Sequence, residues 1–195
     1  MTSTAIGKRI NKVISTELAP FLKSEGFRRK GRTFHRLHDN HIDVVNVQGS
    51  KWNSGSTGEF TINVGVYYPT IAELYDPFRP DGLPDEYHCT LRERIGMLMT
   101  GNRDKWWKLG RFTSEEKLSH EVTNATRDFC IPWLAQMADP ESVKARVPRF
   151  VAAVFAYADG DVTKARELLI DSLGEAPVNA DRTRAWAVDH GIDLA

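Results

Sequence analysis

This sequence is short of most features that announce a function. It has two cysteines in 195 residues, Cys89 and Cys130, far apart in the chain. So few exclude a disulfide-built scaffold, and they read as two buried or half-buried thiols in a reducing compartment. No window approaches the roughly 20 apolar residues that a membrane helix needs. Met1 to Arg9 carries no apolar signal core. The expectation is a cytoplasmic protein. Charge of one sign is missing too: 26 lysines and arginines balance 26 acids. That excludes a protein whose main task is non-specific grip on nucleic acid, because such binding needs excess positive charge. There is no Gly-x-Ser-x-Gly, no phosphate-cradling glycine loop and no His-Glu-x-x-His. No cofactor and no metal is called for, and the balance leans away from an enzyme.

What is present is ordinary globular material, 41% hydrophobic and 27% charged. The pattern is α+β: a kinked N-terminal helix, an antiparallel sheet of about four to five strands, then a helical C-terminal half. Ile6, Ile10, Val13, Ile14, Leu18, Phe21 and Leu22 recur at three- and four-residue steps, so a helix is expected from about Thr4 to Glu25. Ser3 suits its N-cap and Gly26 its end. Pro20 cannot donate to Thr16 and should kink it. Strands are expected over 33–37, 41–51, 59–68, 87–95 and 105–109, with a hairpin turn at His38-Asp39-Asn40. Segment 53–58 reads as a flexible polar loop, and 69–86 as a long proline-rich connection with one helical turn at Ile71, Leu74 and Tyr75. Thr113-x-x-Glu116 is a capping box for a helix bent at Pro132. Asp139-Pro140 restarts a helix, with others at about 148–158, 162–174 and 180–190. The division is a sheet domain over 1–138 and a helical extension over 139–195 packed on it, with one single domain as the alternative.

Gly26-Phe27-Arg28-Arg29-Lys30-Gly31-Arg32-Thr33-Phe34, Val45 to Trp52, Phe60 to Val66, Cys89 to Gly96 and Asp104-Lys105-Trp106-Trp107 occur in that order. On these segments the chain, from about residue 4 to 135, resembles the bacterial family catalogued as domain of unknown function 4304. The resemblance implies a small cytoplasmic bacterial protein and brings no activity or functional residue with it. Near the end, Ala153, Gly160, Ala165, Leu169 and Pro177 sit at the offsets of one tetratricopeptide unit. Arg149 and Ala156 replace that repeat's usual tryptophan and first tyrosine. One unit cannot form a solenoid, so a docked helical hairpin is the simpler expectation.

The candidate sites lie on the sheet. Asn46, Gln48 and Ser50 share one strand face by alternation, and Asn63 sits opposite its own strand's apolar face. Amides are scarce in strands. If both sets face the same side, they form either a ligand-binding face or a satisfied amide ladder. Trp52, Trp106, Trp107, Tyr67 and Tyr68, with Arg92 and Arg94, could ring that face, and one of the two adjacent tryptophans should be core. Arg28, Arg29, Lys30, Arg32 and Arg36 make a basic run, either an anion-binding patch or the guard of an edge strand. His35, His38 and His41 are spread along the expected hairpin. With its turn centred on Asp39, His35 would face Asp43 and Leu37 would face His41, which is an ordinary His–Asp pair and not a metal site. The leading expectation is a non-enzymatic module that binds another protein, an adaptor or a toxin-neutralising protein. The alternatives are a nucleic-acid or nucleotide binder using segment 28–36, and a small-molecule enzyme with a pocket on the amide face.

Overall fold

The computed structural model describes residues 4–194. In chain order the elements are α1 Ala5–Val13, α2 Ala19–Ser24, β1 Arg28–Lys30, β2 Thr33–Leu37, β3 Ile42–Gly49, β4 Gly58–Tyr67, α3 Pro69–Tyr75, β5 Leu91–Arg94, α4 Ile95–Leu98 and β6 Trp107–Leu109. Then come α5 Glu115–Ala125, α6 Ile131–Met137, α7 Pro140–Lys144, α8 Arg149–Ala158, α9 Val162–Glu175 and α10 Ala180–Asp189. Two compact units result. The first holds residues up to Tyr67 and Pro80–Ala138; the second takes Tyr68–Arg79 with Asp139–Ala195. The proline-rich connection is therefore shared between them, which its sequence does not betray.

The first unit is built on a six-stranded antiparallel sheet, ordered β1-β2-β3-β4-β5, with β6 pairing the far end of β4. Segment 28–30 is a strand, not a connection. Gly31 takes φ +65 in the turn to β2, a conformation that costs glycine little. Segment 86–88 is one 3-10 turn, so the strand expected over 87–95 is only Leu91–Arg94. The apolar face of β4 (Phe60, Ile62, Val64, Val66) is fully buried, as are Ile10, Val13, Ile14, Leu18 and Leu22 of the N-terminal helix. The loop over 53–58 is tied down. Asn53 clamps the Glu59 backbone with its side-chain amide, at 2.7 and 2.9 Å. Arg9 donates to the Ser56, Gly110 and Thr113 carbonyls and pairs with Glu115 at 2.6 Å.

Both long helices pass a proline in the same way. A π turn, Ile14–Leu18, precedes Pro20, and a second, Thr126–Cys130, precedes Pro132. A wider turn absorbs the missing N–H and the ring's bulk. At the first π turn the buried Ser119 hydroxyl inserts into the backbone ladder. It donates to the Val13 carbonyl at 2.7 Å and accepts from the Glu17 N–H at 3.1 Å. Two caps differ from expectation. Thr4 accepts from the Gly7 N–H, while Ser3 lies outside the described residues. Ser114 caps α5, because the Thr113 hydroxyl already serves the Gly110 N–H.

The second unit is helical. Asp139 caps α7 through the Glu141 and Ser142 N–H groups. The α8–α9 hairpin buries Ala153, Ala165 and Leu169 completely. Trp186 anchors an aromatic cluster. Its ring lies edge-on to Phe150 and Tyr157 and stacks on His190, and its Nε1 donates to the Leu74 carbonyl at 2.8 Å.

Candidate functional site

Register decides what the polar face of the sheet presents. Thr33 pairs with Asn46, Asn46 with Asn63, and Asn63 with Arg94, so these four side chains form one row across β2, β3, β4 and β5. The next row is His35, Val44, Gly65 and Arg92. Cross-strand partners share a face, so both rows lie opposite the apolar core.

The second row is largely roofed. His35 is buried and its Nε2–H donates to the Pro84 carbonyl at 2.8 Å. Cys89 lies on Gly65 so closely that a Cβ there would stand 2.7 Å from both its Cβ and its Sγ. Burial pushes the Cys89 thiol well above its ordinary range, and the nearby Glu86 carboxylate adds to the shift. Cys130 is fully buried and shifted up by burial alone. Neither thiol is a poised nucleophile.

Beyond Cys89 the face opens into a cleft of about 370 Å³, lined by Gln48, Asn63, Glu86, Arg92, Glu93, Arg94 and Met97. Asn63 donates from Nδ2 to Gln48 Oε1 at 2.9 Å, which leaves the Gln48 amide N–H groups and the Asn63 carbonyl for a ligand. Arg94 is committed. It bonds Asp104 at 2.6 Å and lies over the Trp106 ring, whose Nε1 donates to the same carboxylate. Arg92 is exposed, and among the described residues neither it nor Glu86 nor Glu93 has an ion pair.

The structure thus brings Gln48, Asn63, Arg92 and Arg94 around one cleft. Asn46 turns to the Thr33 hydroxyl at 2.9 Å, and the Ser50 hydroxyl accepts from the Trp52 N–H. Trp52 is 81% exposed on the β3–β4 loop, away from the cleft lining. Trp107 is the core member of the tryptophan pair, with Nε1 donating to Glu121. Tyr67 is buried, while Tyr68 belongs to the helical unit, edge-on to Phe155. Sequence reasoning missed Glu86, Glu93 and Met97. Glu86 ends the proline-rich connection, where an acid is ordinary, and nothing local marks Met97.

The basic run divides. Arg32 donates to Asn11 and to the Gly7 carbonyl, and burial holds its guanidinium below the usual range, with Arg29 adding to the effect. Arg36 pairs with Asp43 at 2.8 Å and lies over Phe27. Arg29 is tied to the Gly31 carbonyl and to Ser15, and lies over Phe34. Arg28 and Lys30, both exposed on edge strand β1, have no side-chain bond among the described residues.

The histidine hairpin departs from expectation by one residue. Leu37 pairs with Ile42, and the loop is the four residues 38–41, closed by a bond from the His38 N–H to the His41 carbonyl. A one-residue slip exchanges faces. Asp43 therefore meets Arg36, and His35 moves to the other side. The tighter closure stacks His38 on His41, with ring centroids 4.2 Å apart and planes 8° from parallel. Both imidazoles reach the buried Asp43 carboxylate: His38 Nε2 lies 2.8 Å from Oδ2 and His41 Nε2 lies 3.5 Å from Oδ1. Burial works against the Asp43 charge. Its contacts with His41, His38 and Arg36 outweigh burial and hold the carboxyl below the usual range.

Fold and cleft together define an α+β sheet protein with one closed apolar face and a polar face that is partly roofed. The chain belongs to the family described as Domain of unknown function (DUF4304), whose model matches residues 18–136. That span contains every residue lining the cleft. No curated protein and no solved structure matches the chain. Among the described residues, no helix is long and apolar enough to cross a membrane.

Proposed function

We propose that this protein is a non-enzymatic binding module of a bacterial cytoplasm, and that the cleft beside β5 receives a polar segment of another protein. The observation that carries the reading is the side-chain set of the cleft. Among the described residues, Arg92 and Glu86 stand there without ion partners beside an amide pair that keeps donors and an acceptor free. Charges of both signs beside amides match a polypeptide, which offers its own amides and side chains of both signs.

The test is affinity capture with the purified chain and with Arg92→Glu, each captured protein then being re-tested in pure form. A partner held by the native chain should be lost on charge reversal. A partner retained equally by both chains, or none at all, would sink the reading. The cleft's size favours one second reading, because small-molecule sites occupy about 300–1,000 Å³. A small zwitterion that protects the native chain against heat, and not Arg92→Glu, would support it. The nucleic-acid reading has less support, because Arg32 and Arg36 spend their charge inside the unit.

A further inference from the structure

We propose that His38, His41 and Asp43 form a binding site for a divalent transition-metal ion of the zinc class. One ligand atom from each lies within 4.8 Å of the others. Two imidazoles and one carboxylate are a donor set suited to borderline metals, and three protein ligands leave a fourth position for water.

The geometry of two of the three ligands already matches. Ligands bonded at about 2.0–2.1 Å to a tetrahedral ion stand about 3.3 Å from each other. His41 Nε2 and Asp43 Oδ1 stand 3.5 Å apart, so they can share an ion with little movement. Among the described residues none donates a hydrogen bond to the buried Asp43 Oδ1. The outer shell is also in place. His41 Nδ1 lies 2.7 Å from Asn40 Oδ1, so the ring is held through Nδ1 while its Nε2 faces Asp43 Oδ1. Arg36 Nε holds the other carboxylate oxygen at 2.8 Å. Metal-bound imidazoles and carboxylates are commonly oriented by such partners.

The remaining ligand has room to adjust. The His38 side chain is 35% exposed, and its Nε2, which donates to Oδ2 in the absence of metal, gives up that proton to solvent as it turns toward the ion. That exposure also supplies the entry path. The hairpin turn sets the three residues, because its 38–41 closure brings the two rings together and the strand register puts Asp43 beneath them.

The experiment uses the full chain without an added tag, stripped by chelator. Titration with Co²⁺ should give the visible absorption of a four-coordinate ion at one per chain, and Zn²⁺ should displace it. His38→Ala changes a partly exposed side chain and should lower the affinity at least tenfold. Asn40→Ala, which acts through His41, should weaken binding by about 10–100-fold. No absorption and no Zn²⁺ uptake would overturn the proposal. So would a His38→Ala affinity less than tenfold below that of the native chain.

Discussion

Replacing Gly65 by alanine tests how the polar face is roofed. Gly65 sits in β4 between Val44 and Arg92, under Cys89. The added Cβ would stand 2.7 Å from the Cys89 Cβ and Sγ and 3.0 Å from the Leu91 carbonyl oxygen. Carbon contacts are comfortable at about 3.5–4.0 Å, so roughly 1 Å of overlap must be relieved. Overpacking of this kind costs about 1–3 kcal/mol. Alanine recovers about 0.5–1 kcal/mol of backbone entropy relative to glycine. The difference spans about 0–2.5 kcal/mol, and because the Leu91 carbonyl is backbone and cannot rotate away, the loss falls at about 1–2 kcal/mol, concentrated where segment 84–91 lies on the sheet. Thiol labelling reads this locally. Cys89 is half-buried with its Sγ seated on Gly65, so its labelling rate rises as that segment opens. A loss of 1–2 kcal/mol should speed labelling about 5- to 30-fold. Peptide mass spectrometry separates Cys89 from the fully buried Cys130. Combining Gly65→Ala with Cys89→Gly should cost less than the two changes summed, because the clashing atoms are gone. An unchanged rate in Gly65→Ala would refute the close seating of Cys89 on the sheet.

Two further predictions concern buried polar groups. Ser119→Ala strands the Val13 carbonyl and the Glu17 N–H at the π turn and should cost about 1–3 kcal/mol in urea unfolding, with Ser119→Thr no substitute in so closed a site. A cost below about 0.5 kcal/mol would mean that the bridge is not needed. Asp43 has its carboxyl depressed in the folded chain. Its contribution is therefore complete above the unfolded value of about 3.9 and is lost as the pH falls through the folded value. Asp43→Asn should be less stable than the native chain at pH 5, and the gap should shrink on acidification below about pH 4. A constant gap down to pH 3 would contradict the assignment.

The reading from sequence went furthest where periodicity and burial coincide. The stripe from Ile6 to Leu22 and the alternation of Phe60 to Val66 each describe a face that must leave water, and both faces are buried. The amide row was also legible, because asparagine opposite a valine–isoleucine face demands a separate explanation. The strand Arg28–Lys30 was not legible, since its exposed cations carry no alternation and it exists by pairing with β2. Nor were the π turns, because proline announces a disturbance without saying how the neighbouring helix relieves it.

The polar face shows where sequence stops. By itself the chain fixed an α+β order of elements, an apolar sheet face and an amide-bearing one, since hydrophobic burial acts on patterns that any reader can count. It left open what covers the second face. Only the tertiary structure decided that Pro84 and Cys89 roof one row and leave the next as an open cleft. It also decided that Asp43 faces Arg36, His38 and His41. Both outcomes turn on a register of one residue and on the close approach of distant segments. Those are set by packing across the whole unit, and no local preference encodes them.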